Sequence, residues 1–431
     1  MVTPNNPRAG GRRGRARGAL VALTALSLLA AGCGSGGKAD ESGPVTLSVA
    51  VWNLQGTPEF QALFDAFEKA NPDVTVQPVD ILAADYPTKV TTMLAGGDTT
   101  DVITMKNVTD YARYAGRGQL DDVTDLVKDK DTTELAGLDA FEQEGRYFAL
   151  PYRQDFWLLY YNKKMFDDAG VAYPENLTWD QYAELAKKLT KDAGGSKVYG
   201  TYHHTWRSVV HAIAAAQAGG DQITGDFEFF ADQYRVVLDL QEAGAALDFG
   251  SATSQQANYR TMFETGATAM LPMGTWYTAG IMQAEAKGAT AVEWGIAPMP
   301  QRPGASGVTT FGSPTAFAVN KNAKHTATAR KFVEFAAGAE GAKAITKVGV
   351  MPALRSDEIT KEYASLEGMP TGEQTAKALK PDEIALEMPV SEHTADVDTI
   401  LKEEHDLIMV GEKSVEDGIR SMRDRVRKVT D

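Results

Sequence analysis

The side chains with most chemical promise stand together in PYRQDFWLLYYNKKMF, residues 151–166. Arg153, Asp155 and Trp157 come directly before the apolar run Leu158-Leu159-Tyr160-Tyr161. A purely structural strand would rarely be introduced by a charge pair and an indole. Of the six tryptophans, Trp52, Trp157, Trp206 and Trp276 fall at predicted strand ends or loops rather than on helix faces. Flat aromatic faces beside directed donors and acceptors are the chemistry of binding a small solute.

Covalent and metal chemistry find less support. His203 and His204 are adjacent and His211 is seven residues on, so no helical i, i+4 ligand pair with a carboxylate forms. No G-x-S-x-G motif is present, and the expectation is no metal and no cofactor. Residues 32–38 spell G-x-x-x-x-G-K, but Ala39 replaces the Ser or Thr that a phosphate loop needs. No strand precedes that stretch and no helix opens after it.

The chain has 431 residues, a length suited to two or three domains, and a formal net charge of -15. Its first thirty-two residues hold five arginines and no acid, which leaves the remainder with 38 basic and 58 acidic side chains. Such a surface repels phosphate, so nucleic acid is a poor partner. The arginine-rich start runs into an apolar stretch over residues 19–31. That is shorter than the roughly 20 residues a membrane helix needs, and it suits a signal-peptide core. The stretch ends in LLAAGC at Cys33, the only cysteine, which rules out an intramolecular disulfide. The Arg12-Arg13 pair lacks the flanking residues of a twin-arginine signal. The polar GSGGKADESG that follows reads as a flexible tether.

From Val45 onward strands and helices alternate. LSVAVW, DVTVQPVDI and DVITM read as strands, with a helix between the first two that begins at Thr57-Pro58. Phe60, Leu63, Phe64 and Phe67 give that helix one apolar face. LTWDQYAELAKKL predicts a second capped helix, with Thr178 as cap and Tyr182, Leu185 and Leu189 facing inward. SKVYGTYH, ATAMLPM, WGIAPMP and TAFAVN read as further strands, and the chain after about Ser356 as mostly helical. Alternation of this kind predicts an α/β fold, whose ligands sit at the carboxyl ends of strands. Trp52 and Asn53, with Lys106 and Asn107, occupy such positions.

Several segments together resemble extracytoplasmic solute-binding proteins of carbohydrate ABC transporters, the family related to maltose-binding protein. They are the lipobox-like LLAAGC, LTWDQYAELAKKL, FETGATAMLPMGTW, TAFAVNKNAKHTATARKFVEFAAGAEGA and VGVMPALRS, in the family's order. Ala30 departs from the lipobox, where leucine is commonest. The resemblance implies a two-lobed periplasmic-binding-protein-like fold (type II), each lobe a mostly parallel sheet flanked by helices. Three hinge crossings would lie near residues 151–155, 309–315 and 351–355. The implied organisation is a signal peptide over 1–32 and a lipidated Cys33 with tether over 33–44. Lobe I would then be 45–152 plus 313–352, and lobe II 153–312 plus 353–431.

A sugar held between the lobes by hinge closure, then delivered to the membrane permease subunits, is the implied function. The protein would be a monomer without enzymatic activity, anchored by the lipid on Cys33 to the outer face of the cell membrane. Trp276, in GTWYTAG, takes the position where the family commonly stacks an aromatic on sugar, and Tyr277 is the neighbouring choice. Trp206 reads equally as cleft or core, Trp157 as cleft wall or hinge packing, and Trp52 with Asn53 as contact or turn. Trp179 and Trp294 are assigned to packing. Asp155 is expected to accept hydroxyl hydrogen bonds, and Arg153 either to bind the solute or, by a slight preference, to pair with an acid such as Asp155. Asp101 is a candidate contact that reads more readily as the cap of a turn, and Gly312 and Ser313 would bring backbone close to the solute. Two alternatives stay open: the same fold binding a polyamine, peptide or other organic solute, or a secreted glycoside hydrolase with paired carboxylates. Asp101, Asp155 and Glu264 keep the polyamine alternative in view.

Overall fold

The computed structural model describes residues 43–128 and 130–431. The expected signal segment and Cys33 lie outside the described residues. No helix among the described residues is long and apolar enough to cross a membrane.

Strand and helix alternate at the start as the pattern requires. Val45–Trp52 pairs in parallel with Val74–Ile81 on one side and Val102–Met105 on the other. Between the first two runs the helix Pro58–Ala70, whose Phe60, Leu63, Phe64 and Phe67 are all buried. Thr57 does not cap it through its side chain; the hydroxyl instead donates to Trp52 O and Asn53 O at 2.8 Å each. The helix Trp179–Leu189 has the full capping box between Thr178 and Gln181, with Tyr182 and Leu189 buried and Leu185 half-buried.

Two long strands organise the middle of the molecule. Leu150–Asn162 is buried along its whole length and pairs antiparallel with Thr309–Val319. One flank of this pair joins Val102–Met105 through Thr309–Val319. The other flank joins Thr268–Gly274 antiparallel to Leu150–Asn162, and Ser196–Thr201 then adds in parallel. Trp294–Ala297 also pairs with Leu150–Asn162, and a short strand Glu383–Leu386 pairs with Thr309–Val319.

The buried apolar side chains form two clusters. Leu47, Phe60, Leu150 and Tyr152 belong to one, together with Phe317 and Val350. Phe156, Tyr160 and Phe311 belong to the other, with Met351 and most of the C-terminal helices. The chain therefore passes from one core to the other at three places. These are within Leu150–Asn162, within Thr309–Val319, and between Val350 and Met351. The three lie side by side: Ala353 N donates to Tyr152 O at 3.0 Å, and Ser313 is in register with Asp155.

Candidate ligand cleft

A cavity of about 650 Å³ opens where these crossings meet the ends of the flanking strands. Side chains alternate along a strand, so Arg153, Asp155 and Trp157 share one face of Leu150–Asn162. All three line the cavity, as do Ser313 and Thr315 from the paired strand.

Arg153 is the centre of the floor. Its Nη1 lies 2.5 Å from Glu59 Oε1, its Nε 2.7 Å from Asp155 Oδ2, and its Nη2 donates to Thr315 Oγ1 at 3.2 Å. Thr275 Oγ1 donates to the other Asp155 oxygen at 2.8 Å. Burial pushes the Glu59 and Asp155 carboxyls above their ordinary range, more than the guanidinium pulls them down. Asp155 is thus occupied by Arg153 and Thr275. Arg355, behind this group, donates to Gln154 O at 3.2 Å, and burial draws its guanidinium down to about 10.

An aromatic corner rises from the floor. Trp157 stacks on Phe311 at 5.0 Å and meets Trp276 edge-on at 5.7 Å. Trp206 lies 6.1 Å from Trp276, 6.2 Å from Tyr259 and 4.3 Å from His204. Trp157 is 2% exposed, whereas Trp206 is 39% exposed and Trp276 half-buried, so the last two offer ring surface to a solute. Gly274 makes room for the Trp276 indole: a Cβ there would stand 1.9 Å from Cζ3. Burial pushes the His204 imidazole down to about 4, so it is neutral beside these rings.

Trp52, which packs in the first core, and Asn53 supply another part of the wall. Trp52 packs edge-on against Phe60 and Tyr86, with Lys106 Nζ 5.5 Å from its ring. Asn53 adopts a left-handed backbone (φ 45°) and accepts from Ala83 N at 3.0 Å, tying the next loop to the rim. Asn107 lines the same wall and caps the helix Val108–Gly116, accepting from Asp110 N.

Three expected contacts lie elsewhere. Asp101 sits at the far end of its strand, away from Trp52. Its carboxylate accepts from Ser48 N at 2.9 Å, Ser48 Oγ at 2.7 Å and His325 N at 2.7 Å. Tyr277 is one helical step past Trp276, which turns it into the core, where it donates to Glu264 at 3.2 Å. Gly312 is pressed against the neighbouring strand, with space for a Cβ only 2.0 Å from Asp155 O.

Other lining residues escaped the sequence reading. Glu59 follows Pro58 in a helix that was read only for its apolar face. Tyr259 and Arg260 open the helix Tyr259–Glu264, just before the strand that leads to Trp276. Arg207, Glu387, Asp398 and Lys402 come from segments far apart in sequence. Arg207 pairs with Asp398 at 2.5 Å and donates to Gln222 at 3.0 Å. Glu387 accepts from Ser208, and burial raises its carboxyl. Among the described residues no group of histidines, cysteines and acids is placed to hold a metal ion. His203 and His211 instead bond to Tyr182 and Tyr234 within the core.

The family model of the bacterial extracellular solute-binding proteins matches residues 52–343. The crystal structure of a sugar transporter from Rhizobium etli, in an open conformation, is 35% identical with a TM-score of 0.77. That comparison covers 89% of this chain and 99% of the other. An arabinooligosaccharide-binding protein of Bacillus subtilis is 24% identical over 370 residues, covering 78% of this chain and 80% of the relative. A mannitol-binding protein of Pseudomonas aeruginosa is 28% identical over 156 residues, which span 36% of each chain.

Proposed function

Because the chain belongs to the bacterial extracellular solute-binding protein family, we propose that it captures a sugar in this cleft for an ABC importer. The observation that carries the reading is the aromatic corner beside a polar floor. Trp206 and Trp276 leave ring surface open to the cavity, which Ser313 also lines, its Oγ buried without a hydrogen-bond partner among the described residues. Sugars match such a site with apolar C–H faces and a rim of hydroxyls. The R. etli sugar transporter and the oligosaccharide-binding relative support the same class.

In this reading the two cores mark two lobes, residues 45–152 with 313–352 and residues 153–312 with 353–431, with Met351 in the third crossing packing into the second core. The three crossings are the hinge, and closure brings Trp52 and Asn53 toward Trp206 and Trp276. The loaded monomer then meets the permease subunits, held at the outer face of the cell membrane by a lipid on Cys33. The family and the relatives are binding proteins, and the cleft's acids fit binding better than hydrolysis. Glu59 and Asp155 are tied to Arg153, and Asp398 to Arg207.

A polyamine is disfavoured on the same ground. Of the three acids that would hold one, Asp155 is neutralised by Arg153, while Asp101 and Glu264 do not line the cavity. A thermal-shift screen against mono- to tetrasaccharides and a polyamine series tests the assignment. A saturable rise in midpoint with a sugar is expected; a rise with polyamines alone would overturn it.

A further inference from the structure

The basic side chains of the cleft are not all answered alike. Arg153 is held by Glu59 and Asp155, Arg207 by Asp398, and Lys402 by Asp406 at 2.6 Å. Lys106 also has no ion pair among the described residues, but its ammonium donates to Ala83 O at 2.7 Å beside the Trp52 ring. Arg260 has no ion-pair partner among the described residues. Its natural partner is Glu264, four residues on in the same helix, yet that carboxylate accepts from Tyr277 instead. The guanidinium lies over Gly280, where a Cβ would stand 2.4 Å from Nη1. Its Cζ is 5.9 Å from the rings of both Tyr259 and Tyr277. A glycine seat and two rings thus hold a half-buried cation in place with no counter-charge.

Its surroundings sharpen the point. Arg260, Gly280, Tyr259, Trp206 and Trp276 line one corner of the cavity. Five basic and four acidic side chains line the whole cavity, an excess of one positive charge in a chain of net charge -15. A planar guanidinium matches a carboxylate with two parallel hydrogen bonds, and a single extra positive charge matches one carboxylate. Apolar rings around the pair keep water from weakening it.

Taking the sugar reading of the cleft as its basis, we propose that the solute is a sugar acid whose carboxylate pairs with Arg260. The aromatic corner takes the ring of that residue, and the guanidinium selects the charged member of each sugar pair.

Isothermal titration calorimetry with glucuronate, galacturonate and their di- and trisaccharides, each against its neutral parent, tests this. Wild-type protein should bind an acid sugar about tenfold or more tighter than its parent. Arg260→Gln should bring that ratio close to unity. Gly280→Ala keeps the positive charge but displaces the head from its seat, and should lower the ratio in a helix that tolerates alanine. Equal affinity for acid and neutral sugars in the wild type would overturn the inference, as would a preference that survives Arg260→Gln. Tighter binding of glucose 6-phosphate than of any uronate would overturn the choice of a carboxylate. Binding of neutral sugars alone defeats this inference and leaves the sugar reading standing; binding of no sugar of either kind defeats both.

Discussion

On the floor of the cleft Arg153 lies within 2.7 Å of two carboxylates and donates to a threonine. In the corner, Arg260 lies over a glycine and beside two tyrosine rings that touch each other, with no ion-pair partner among the described residues. The two arginines line the same cavity and have opposite surroundings. Where polar groups satisfy one another, they fix the shape of the crossing strands and leave little for a solute. Where a polar group and the surface of two indoles are left over, the molecule has something to offer. The expected binding residues divide along that line: Asp155 is tied to Arg153, while Trp206 and Trp276 keep ring surface open to the cavity and are the contacts proposed for the solute.

The largest expected effect breaks the floor. Arg153→Met leaves Glu59 and Asp155 buried together without their cation, and should cost about 3–5 kcal/mol in urea denaturation. A loss under about 1 kcal/mol would show that the pair is not the brace described here.

Acid should separate framework from corner in a second way. Burial pushes His203 down to about 4 from an unfolded value near 6.5, and His405 down to about 3. Each contributes stability that is full above about pH 6.5 and is lost as pH falls through the folded value. For His203 the loss approaches about 3 kcal/mol near pH 4. The stability gap between wild type and His203→Gln should therefore narrow as pH falls from 6.5 to 4, and a constant gap would contradict this. His204, against Trp206, remains neutral from pH 7 to 5 and should add no pH dependence to solute affinity over that range, so His204→Gln should leave the pH profile of binding unchanged.

Asp101→Asn is a smaller test. It places an amide where three donors converge and should cost about 1–3 kcal/mol of stability, with unchanged solute affinity by calorimetry. Weakened binding in a stably folded variant would return Asp101 to the site.

Much of the fold was legible because its signals are local. The apolar face of Pro58–Ala70 and the capping box of Trp179–Leu189 repeat within one or two turns. Arg153, Asp155 and Trp157 were legible as a group for the same reason, since one strand carries all three. The misassigned contacts each turned on direction rather than residue type. Asp101 stands at the wrong end of the right strand, and Tyr277 lies about 100° around the helix from Trp276. Tyr259 and Arg260 left no separable mark, because a short helix before a strand looks like ordinary packing. Glu387, Asp398 and Lys402 reach the cavity only through tertiary folding, from a C-terminal region with no local pattern that points there. The strand Glu383–Leu386 was hidden in a stretch read as helical.

The central claim is that the indole faces of the corner hold a sugar, and Trp276 is the residue to remove. Calorimetric titration of wild type and Trp276→Ala with the tightest sugar from the screen tests it directly. The expected result is an affinity loss of about tenfold or more with an unchanged denaturation midpoint. Equal affinity in the two proteins would contradict the account.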